Sequence, residues 1–247
     1  LEKKVFKPRK LKIIMDYKVC ILAAGVGSRM GEFSENLNKV LLPLKGKPAI
    51  CHIIEKFSED IEIVIAVGYK KKSLVCYLKN AYPNRKLTFV SVDPYLGEGS
   101  GPGFSLFSCK DHLQCPFIHV AGDTLVKENI DVPDLNWIGV SEIEDTQRFC
   151  SVKTEKDRVV RIDDKIKTNN KYAYIGLIGI WDWEAFWDSL GNNSKVIDGE
   201  IQVSNGINVL LNKNLSIKKF TWFDTGTPNA YEHAQKNYPN GEGYSGE

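Results

Sequence analysis

The chain has 247 residues, 43% apolar and 26% charged, a balance that excludes collagen-like, disordered and coiled-coil chains and leaves one large globular domain or two small ones. The formal charge of +2 is unevenly spread, because residues 1–14 (LEKKVFKPRKLKII) hold six bases and one acid and the remainder 27 bases against 30 acids. A faintly acidic body argues against a nucleic-acid surface.

In chain order, residues 1–14 read as a basic tether before Met15, and the folded domain as residues 15–238. Val19 to Ala23 (VCILA) is a short apolar run entering glycines, as a strand buried on both faces does at the start of an α/β unit. GKPAICHIIEKFS puts Pro48 at a helix start and Ile50, Ile53, Ile54 and Phe57 on one face. IEIVIAV (61–67) and LTFVSV (87–92) predict strands on either side of a helix in KKKSLVCYLKNAY. A glycine-rich stretch, LGEGSGPGFSLFS, then leads to FIHVAGD, a fourth strand ending in Gly122 and Asp123. This alternation predicts a Rossmann-like parallel sheet flanked by helices over about 17–130.

After Asp131 the rhythm changes. NWIGVSEI, FCSVKTE, RVVRIDD and YAYIGLIGIW read as strands with little helix between them, so the sheet is expected to be mixed and mostly parallel, with an antiparallel extension in residues 131–238. A helix near Glu200 to Leu211, one strand SIKKFTWF, and a helix from Pro228 to Tyr238 close the domain. Residues 239–247 read as a glycine-rich tail or linker. The tryptophans of IWDWEAFW are expected to pack a helix on the second half of the sheet.

No apolar run reaches the ~18 residues of a membrane span, and the basic N-terminus lacks the apolar core and cleavage site of a leader, so a cytoplasmic protein is expected. The six cysteines contain no C-x-x-C pair, which indicates neither a disulfide framework nor a zinc site. The N-x-S triplets at Asn192 and Asn214 read as chance matches, and the four histidines share no ligand spacing. A homo-oligomer and a further domain are left open.

LAAGVGSRMG (22–31) carries the chemistry. A strand emptying into glycines offers bare N–H groups to an anion, because glycine permits close approach and positive φ. The dinucleotide fingerprint fails at Met30 and the Walker pattern is absent. Arg29 ends the loop, and Lys39 and Lys47 follow at a spacing that could bring both back to a bound phosphate.

LAAGVGSRMG followed by KVLLPLKGKP resembles the signature of the nucleotidyltransferases that make nucleotide-diphosphate sugars and related activated alcohols. The resemblance continues through LGEGSGPGFSL, VAGDTLV, DDKIK, YIGLIGI, DGEIQVSNGINVLL and WFDTGTP, over about residues 17–237. It implies that the phosphate of an acceptor attacks the α-phosphorus of a nucleoside triphosphate and expels pyrophosphate. It implies nucleotide contacts from Leu22, Ala23, Ala24, Gly25, Gly27, Ser28, Arg29, Lys39, Gly97, Gly99 and Gly101, with Arg29, Lys39 and Asp123 as catalytic groups. Asp123 and Asp224 would hold Mg²⁺, for which Mn²⁺ could substitute. Lys165, the Gly176 backbone and Glu200 would hold the acceptor. Two departures bear on the acceptor alone: Asn205 or Gly206 falls where the family's helix has an aspartate, and Ile166 follows Lys165 where proline is common.

The nucleophile is already ionised, since a phosphate's second pKa is about 6, so no side-chain base is required. Bringing two anions together needs cations and positioning instead. Structural readings stand beside these roles: Asp123 capping a turn, Asp224 forming an Asx turn before Gly226, Lys165 solvated in a hairpin tip, and Glu200 in a first helical turn. The sugar-1-phosphate reading is favoured by Glu200 and the D-T-G-T turn. The alternatives are a cytidylyltransferase acting on a non-sugar phosphate or phosphonate and a catalytically silent regulatory homologue.

Overall fold

The computed structural model describes residues 16–192, 196–197 and 199–239; the basic tether and residues 240–247 of the tail lie outside the described residues. Nine strands form the central sheet: β1 (Lys18–Ala23), β2 (Ile63–Val67), β3 (Leu87–Ser91), β4 (Phe117–Ala121), β5 (Trp137–Glu142), β6 (Cys150–Glu155), β7 (Arg158–Asp164), β8 (Tyr172–Ile180) and β9 (Ser216–Lys219). Their order is 3-2-1-4-8-5-9-7-6. β3, β2, β1 and β4 are parallel neighbours. β8 runs against β4 and β5, and β7 against β9 and β6, so only these two strands oppose the common direction. The sheet is therefore mixed and mostly parallel, as the alternation of elements predicts.

The helices are α1 (Glu32–Glu35), α2 (Ala49–Ile54), α3 (Lys71–Ala81), α4 (Pro102–Phe107), α5 (Trp183–Asn192), α6 (Ser204–Leu210) and α7 (Pro228–Asn237). Alternate residues of the buried strands serve opposite faces. Val19 and Ile21 of β1 join Ile50, Ile53 and Ile54 of α2 and Leu74 and Leu78 of α3. Cys20, between them, faces Leu106 of α4, Phe186, Trp187 and Leu190 of α5, and Ile207 and Leu210 of α6. Trp187 stacks on Phe117 at 5.0 Å between ring centroids and donates its indole N–H to the Leu113 carbonyl at 3.0 Å. It thus packs its helix on β4, in the first half of the sheet, while Trp181 is exposed.

Two expectations are corrected. SIKKFTWF is not one strand: β9 ends at Lys219, and Trp222–Asp224 pairs separately with Thr124–Val126, with Asp224 opposite Thr124. Phe220 turns into the core between them. Glu200 is not helical, because Glu200–Ile201 pairs with Val196–Ile197 and α6 starts only at Ser204. Among the described residues no helix is long and apolar enough to cross a membrane, and the six cysteines are free thiols.

Candidate active site at the carboxyl ends of β1 and β4

The glycine loop leaves β1 at Ala23 and is pinned by its neighbours. Gly27 adopts φ +69°, a left-handed conformation suited to glycine, and its carbonyl accepts from the Met30 N–H at 2.8 Å and the Ser34 hydroxyl at 2.9 Å. The Ala24 carbonyl accepts from the Tyr69 N–H at 2.8 Å. Asn38, fully buried, donates to the carbonyls of Ala23 (2.9 Å) and Tyr69 (2.8 Å) while its side-chain oxygen caps the Lys39–Leu41 turn at Val40 N–H. One side chain thus ties the loop, the segment after β2 and the turn bearing Lys39. Leu22 and Ala23 are strand residues and Ala24 is buried; Gly25, Ser28 and Arg29 are exposed.

Lys39 lies against Gly27 and reaches Asp123, its ammonium 2.5 Å from Oδ2. Asp123 lies in the turn after β4, one residue beyond Gly122, and its carbonyl accepts from the Thr225 N–H at 3.0 Å. Asp224 bonds the Gly226 N–H at 2.8 Å, so the Asx turn is present, and the same turn carries its carboxylate to Asp123. A methyl group built on Gly226 would meet Asp123 Oδ2 at 2.9 Å, Asp224 Oδ1 at 3.0 Å and the Arg29 guanidinium at 3.2 Å. Three side chains from remote parts of the sequence therefore converge on one glycine, with the two carboxylate oxygens no further apart than those first two distances combined. Burial opposes the charge of Asp123, but Lys39 and Arg29 hold its carboxyl below the ordinary value. Burial, and then the charge of Asp123, push the Asp224 carboxyl above its ordinary value. Lys47 does not return to this cluster; it pairs with Glu55.

The second glycine loop is continuous with the first. Tyr95 lies over Gly68, which in turn abuts the Ala24 carbonyl. Gly97 (φ +92°) and Gly99 (φ +80°) are open, whereas Gly101 lies under Glu200 and Ile201 and Gly103 under Gln202. The Ile201 N–H donates to the Ser100 carbonyl at 2.9 Å. Gly101, expected among nucleotide contacts, thus lies against the segment expected to hold the acceptor.

Gly176 bends β8 at φ +77°, where the register with β5 shifts, and abuts Ala121 and Thr124 on either side of Asp123. Thr124 donates to the Ile175 carbonyl. Lys165 is exposed just after β7, its backbone N–H on the Phe149 carbonyl at 3.0 Å; Phe149 in turn packs edge-on against Trp222 of the Asp224 ribbon. Asp164 accepts from Ser204 at 2.7 Å, which joins the β7 end to the segment after Glu200. Lys39 and Asp123 are therefore in direct contact, and Arg29 and Asp224 converge with Asp123 on Gly226; Gly176 lies against the turn that bears Asp123, while Glu200 and Lys165 stand further out, tied in through Gly101 and through Phe149. The sequence reading missed Asn38, whose signal was an asparagine ahead of a turn, and Gly226, whose signal was the glycine of D-T-G-T.

Residues 19–130 match the model of the MobA-like NTP transferase domain. The chain is 27% identical over 223 residues to the bifunctional protein GlmU of Methanococcus vannielii, covering 84% of this chain and 51% of that protein. It is 28% identical over 232 residues to GlmU of Methanococcus aeolicus, covering 88% and 54%. It spans about half the length of these relatives. The solved structure of a UDP-glucose pyrophosphorylase complexed with UDP-glucose superposes with a TM-score of 0.75 at 18% identity, covering 91% of this chain and 98% of that one. The chain therefore shares its Rossmann-like α/β fold with that pyrophosphorylase, and the match to the MobA-like NTP transferase domain covers the first half of the sheet.

Proposed function

We propose that the chain transfers a nucleoside monophosphate from a nucleoside triphosphate to a sugar-1-phosphate, releasing pyrophosphate and forming a nucleotide-diphosphate sugar. The observation that carries this reading is the convergence of Arg29, Asp123 and Asp224 on Gly226, with Lys39 on Asp123. It supplies two cations and two hard-oxygen ligands where a sheet of this type binds ligands, outside the carboxyl ends of its strands. The relationship to GlmU and the fold shared with a UDP-glucose pyrophosphorylase support the sugar as acceptor.

In this reading the loop from Leu22 through Ala23, Ala24, Gly25, Gly27 and Ser28 offers backbone to the nucleotide, while Gly97, Gly99 and Gly101 line the base. Arg29 and Lys39 balance the triphosphate charge, which shifts toward the leaving pyrophosphate as the bond to the α-phosphorus breaks. The Gly176 backbone and Glu200 bind acceptor hydroxyls, and Lys165 binds the acceptor phosphate, leaving that phosphate's own oxygen as nucleophile.

Asp123 and Asp224 would hold one Mg²⁺, for which Mn²⁺ could substitute. The residues fit such an ion: their oxygens flank a space that a single Cβ at Gly226 would fill. Among the described residues no group of three or more His, Cys, Asp and Glu side chains forms a metal cage. Two carboxylates, with water and phosphate oxygens completing the shell, match the preference of Mg²⁺. When bound, the ion would neutralise phosphate charge.

A pyrophosphate-release screen of the four common nucleotides against sugar-1-phosphates and small alcohol phosphates tests the proposal. Release should require triphosphate, divalent cation and a phosphorylated acceptor together. Hydrolysis indifferent to every acceptor would overturn it, and turnover with alcohol phosphates alone would establish the cytidylyltransferase-type alternative.

A further inference from the structure

We infer that Lys39 is the resident cation of the carboxylate pair, which a divalent ion must displace and which an incoming triphosphate releases. The inference rests on the proposed nucleotide and metal sites and concerns how one side chain serves both. Three observations carry it. The Lys39 ammonium lies 2.5 Å from Asp123 Oδ2, the same oxygen that, with Asp224 Oδ1, flanks the space beside Gly226. Both side chains are only 17% exposed, so water screens the pair weakly. Lys39 is also anchored close by: its stem packs on Gly27, and Asn38 caps its turn.

Two carboxylates meeting two basic groups form a cluster whose formal charges cancel, so a free divalent cation gains little by entering. A triphosphate changes the balance. Its oxygens offer Lys39 new partners within reach of the glycine loop, and an ammonium that turns to them uncovers Asp123 Oδ2. The bare ion then finds two carboxylates, and the nucleotide finds a lysine no longer engaged. By linkage each ligand strengthens the other through the single Lys39–Asp123 contact.

The test reads binding, apart from turnover. Mn²⁺ affinity is measured without nucleotide, from the electron paramagnetic resonance signal of the free ion. Lys39→Met and Lys39→Gln should each bind Mn²⁺ at least ~10-fold more tightly than the wild-type protein, as removal of one weakly screened charge beside the ion implies. Lys39→Arg, which keeps a cation there, should not gain. Equal affinities in wild type and both neutral variants would overturn the inference. The reciprocal arm measures binding of each ribonucleoside triphosphate in EDTA. Asp123→Asn, which frees Lys39, should bind more tightly than Asp224→Asn, which removes the same charge without freeing it. Equal gains in the two variants would overturn the phosphate half. If no triphosphate binds any variant even with Mn²⁺ restored, the proposed function fails, while the Mn²⁺ arm still decides whether Lys39 guards the carboxylates.

Discussion

The two halves of the domain supply the cleft in different ways. The half proposed to bind the nucleotide ends its parallel strands in loops, so β1 and β4 deliver Gly25 to Arg29 and Asp123 directly to the proposed cleft. The half proposed to bind the acceptor presents its residues through detours. A ribbon outside the main sheet carries Asp224, a two-residue strand presents Glu200, and a hairpin end bears Lys165. A surface made of strand ends is fixed by the sheet itself, whereas one made of detours can vary without disturbing the sheet. In the proposed reading, Arg29, Lys39 and Asp123 thus sit on the part of the architecture that the sheet fixes, and Asp224 and the acceptor-side residues on the part that can vary.

The sharpest way to break that division is where the two halves meet at the carboxylate pair. Asp123→Asn and Asp224→Asn should each lower kcat by ~10³-fold if they share an ion, the double variant should cost little more than the worse single one, and excess Mn²⁺ should restore part of either. Losses that multiply in the double variant would show the two halves acting independently. Next is Arg29→Ala, which should lower kcat by ~10²-fold, the cost of one preorganised charged donor, with no change in thermal midpoint because Arg29 is exposed.

A smaller effect tests the acceptor side. Glu200→Gln and Lys165→Ala should raise the acceptor KM by ~10-fold or more, since a hydrogen bond to a charged group is worth roughly 1.5–3 kcal/mol, and leave the nucleotide KM nearly unchanged. Gly103→Ala should behave like Glu200→Gln although it lies in the nucleotide half, because its Cβ would meet Gln202 backbone at 2.7 Å. A rise in the nucleotide KM instead would move the boundary between the halves.

The smallest effect concerns stability. His119 on β4 is buried, and burial lowers its pKa to about 4. Its contribution is complete above the unfolded value near 6.5 and declines as pH falls toward 4, where the folded protein also takes up the proton; at most ~3 kcal/mol is lost. Hydrogen exchange at pH 7 and pH 4.5 should show β1, β2 and β4 losing protection before the β6–β7 hairpin, and His119→Gln should erase the difference.

The legible parts of the sequence were those where local pattern and tertiary role coincide. VCILA and IEIVIAV are apolar throughout because both faces of these strands are covered, and Gly27 stands where a left-handed turn is needed. Residues 216–224 were misread because the alternating apolar pattern runs across Phe220 and Thr221, and only the pairing of Trp222–Asp224 with Thr124–Val126 shows the break. Glu200 was misread because EIQVSNGINVLL has helical spacing from Ile201 onward, while contact with Gly101 and Ser100 holds its start extended. Lys47 had the spacing to reach the loop, but Glu55, eight residues ahead, lies closer to hand. Asn38 could be read as a cap; its bonds to Ala23 and Tyr69 join residues 15 and 31 positions away, which no local pattern encodes.

The bend of β8 at Gly176 has a mechanical consequence. Below the bend the strand pairs with β4, above it with β6, and on its other edge with β5 along most of its length. One continuous piece of backbone therefore belongs to both halves of the single sheet, and the strand ends beside Asp123 are riveted to the part that bears the proposed acceptor side. A hinge between the halves would have to tear β8 out of three ladders. The separation between the two proposed substrate sites is thus a dimension cut into the frame when the chain folds, and only the loops on its rim are left to adjust.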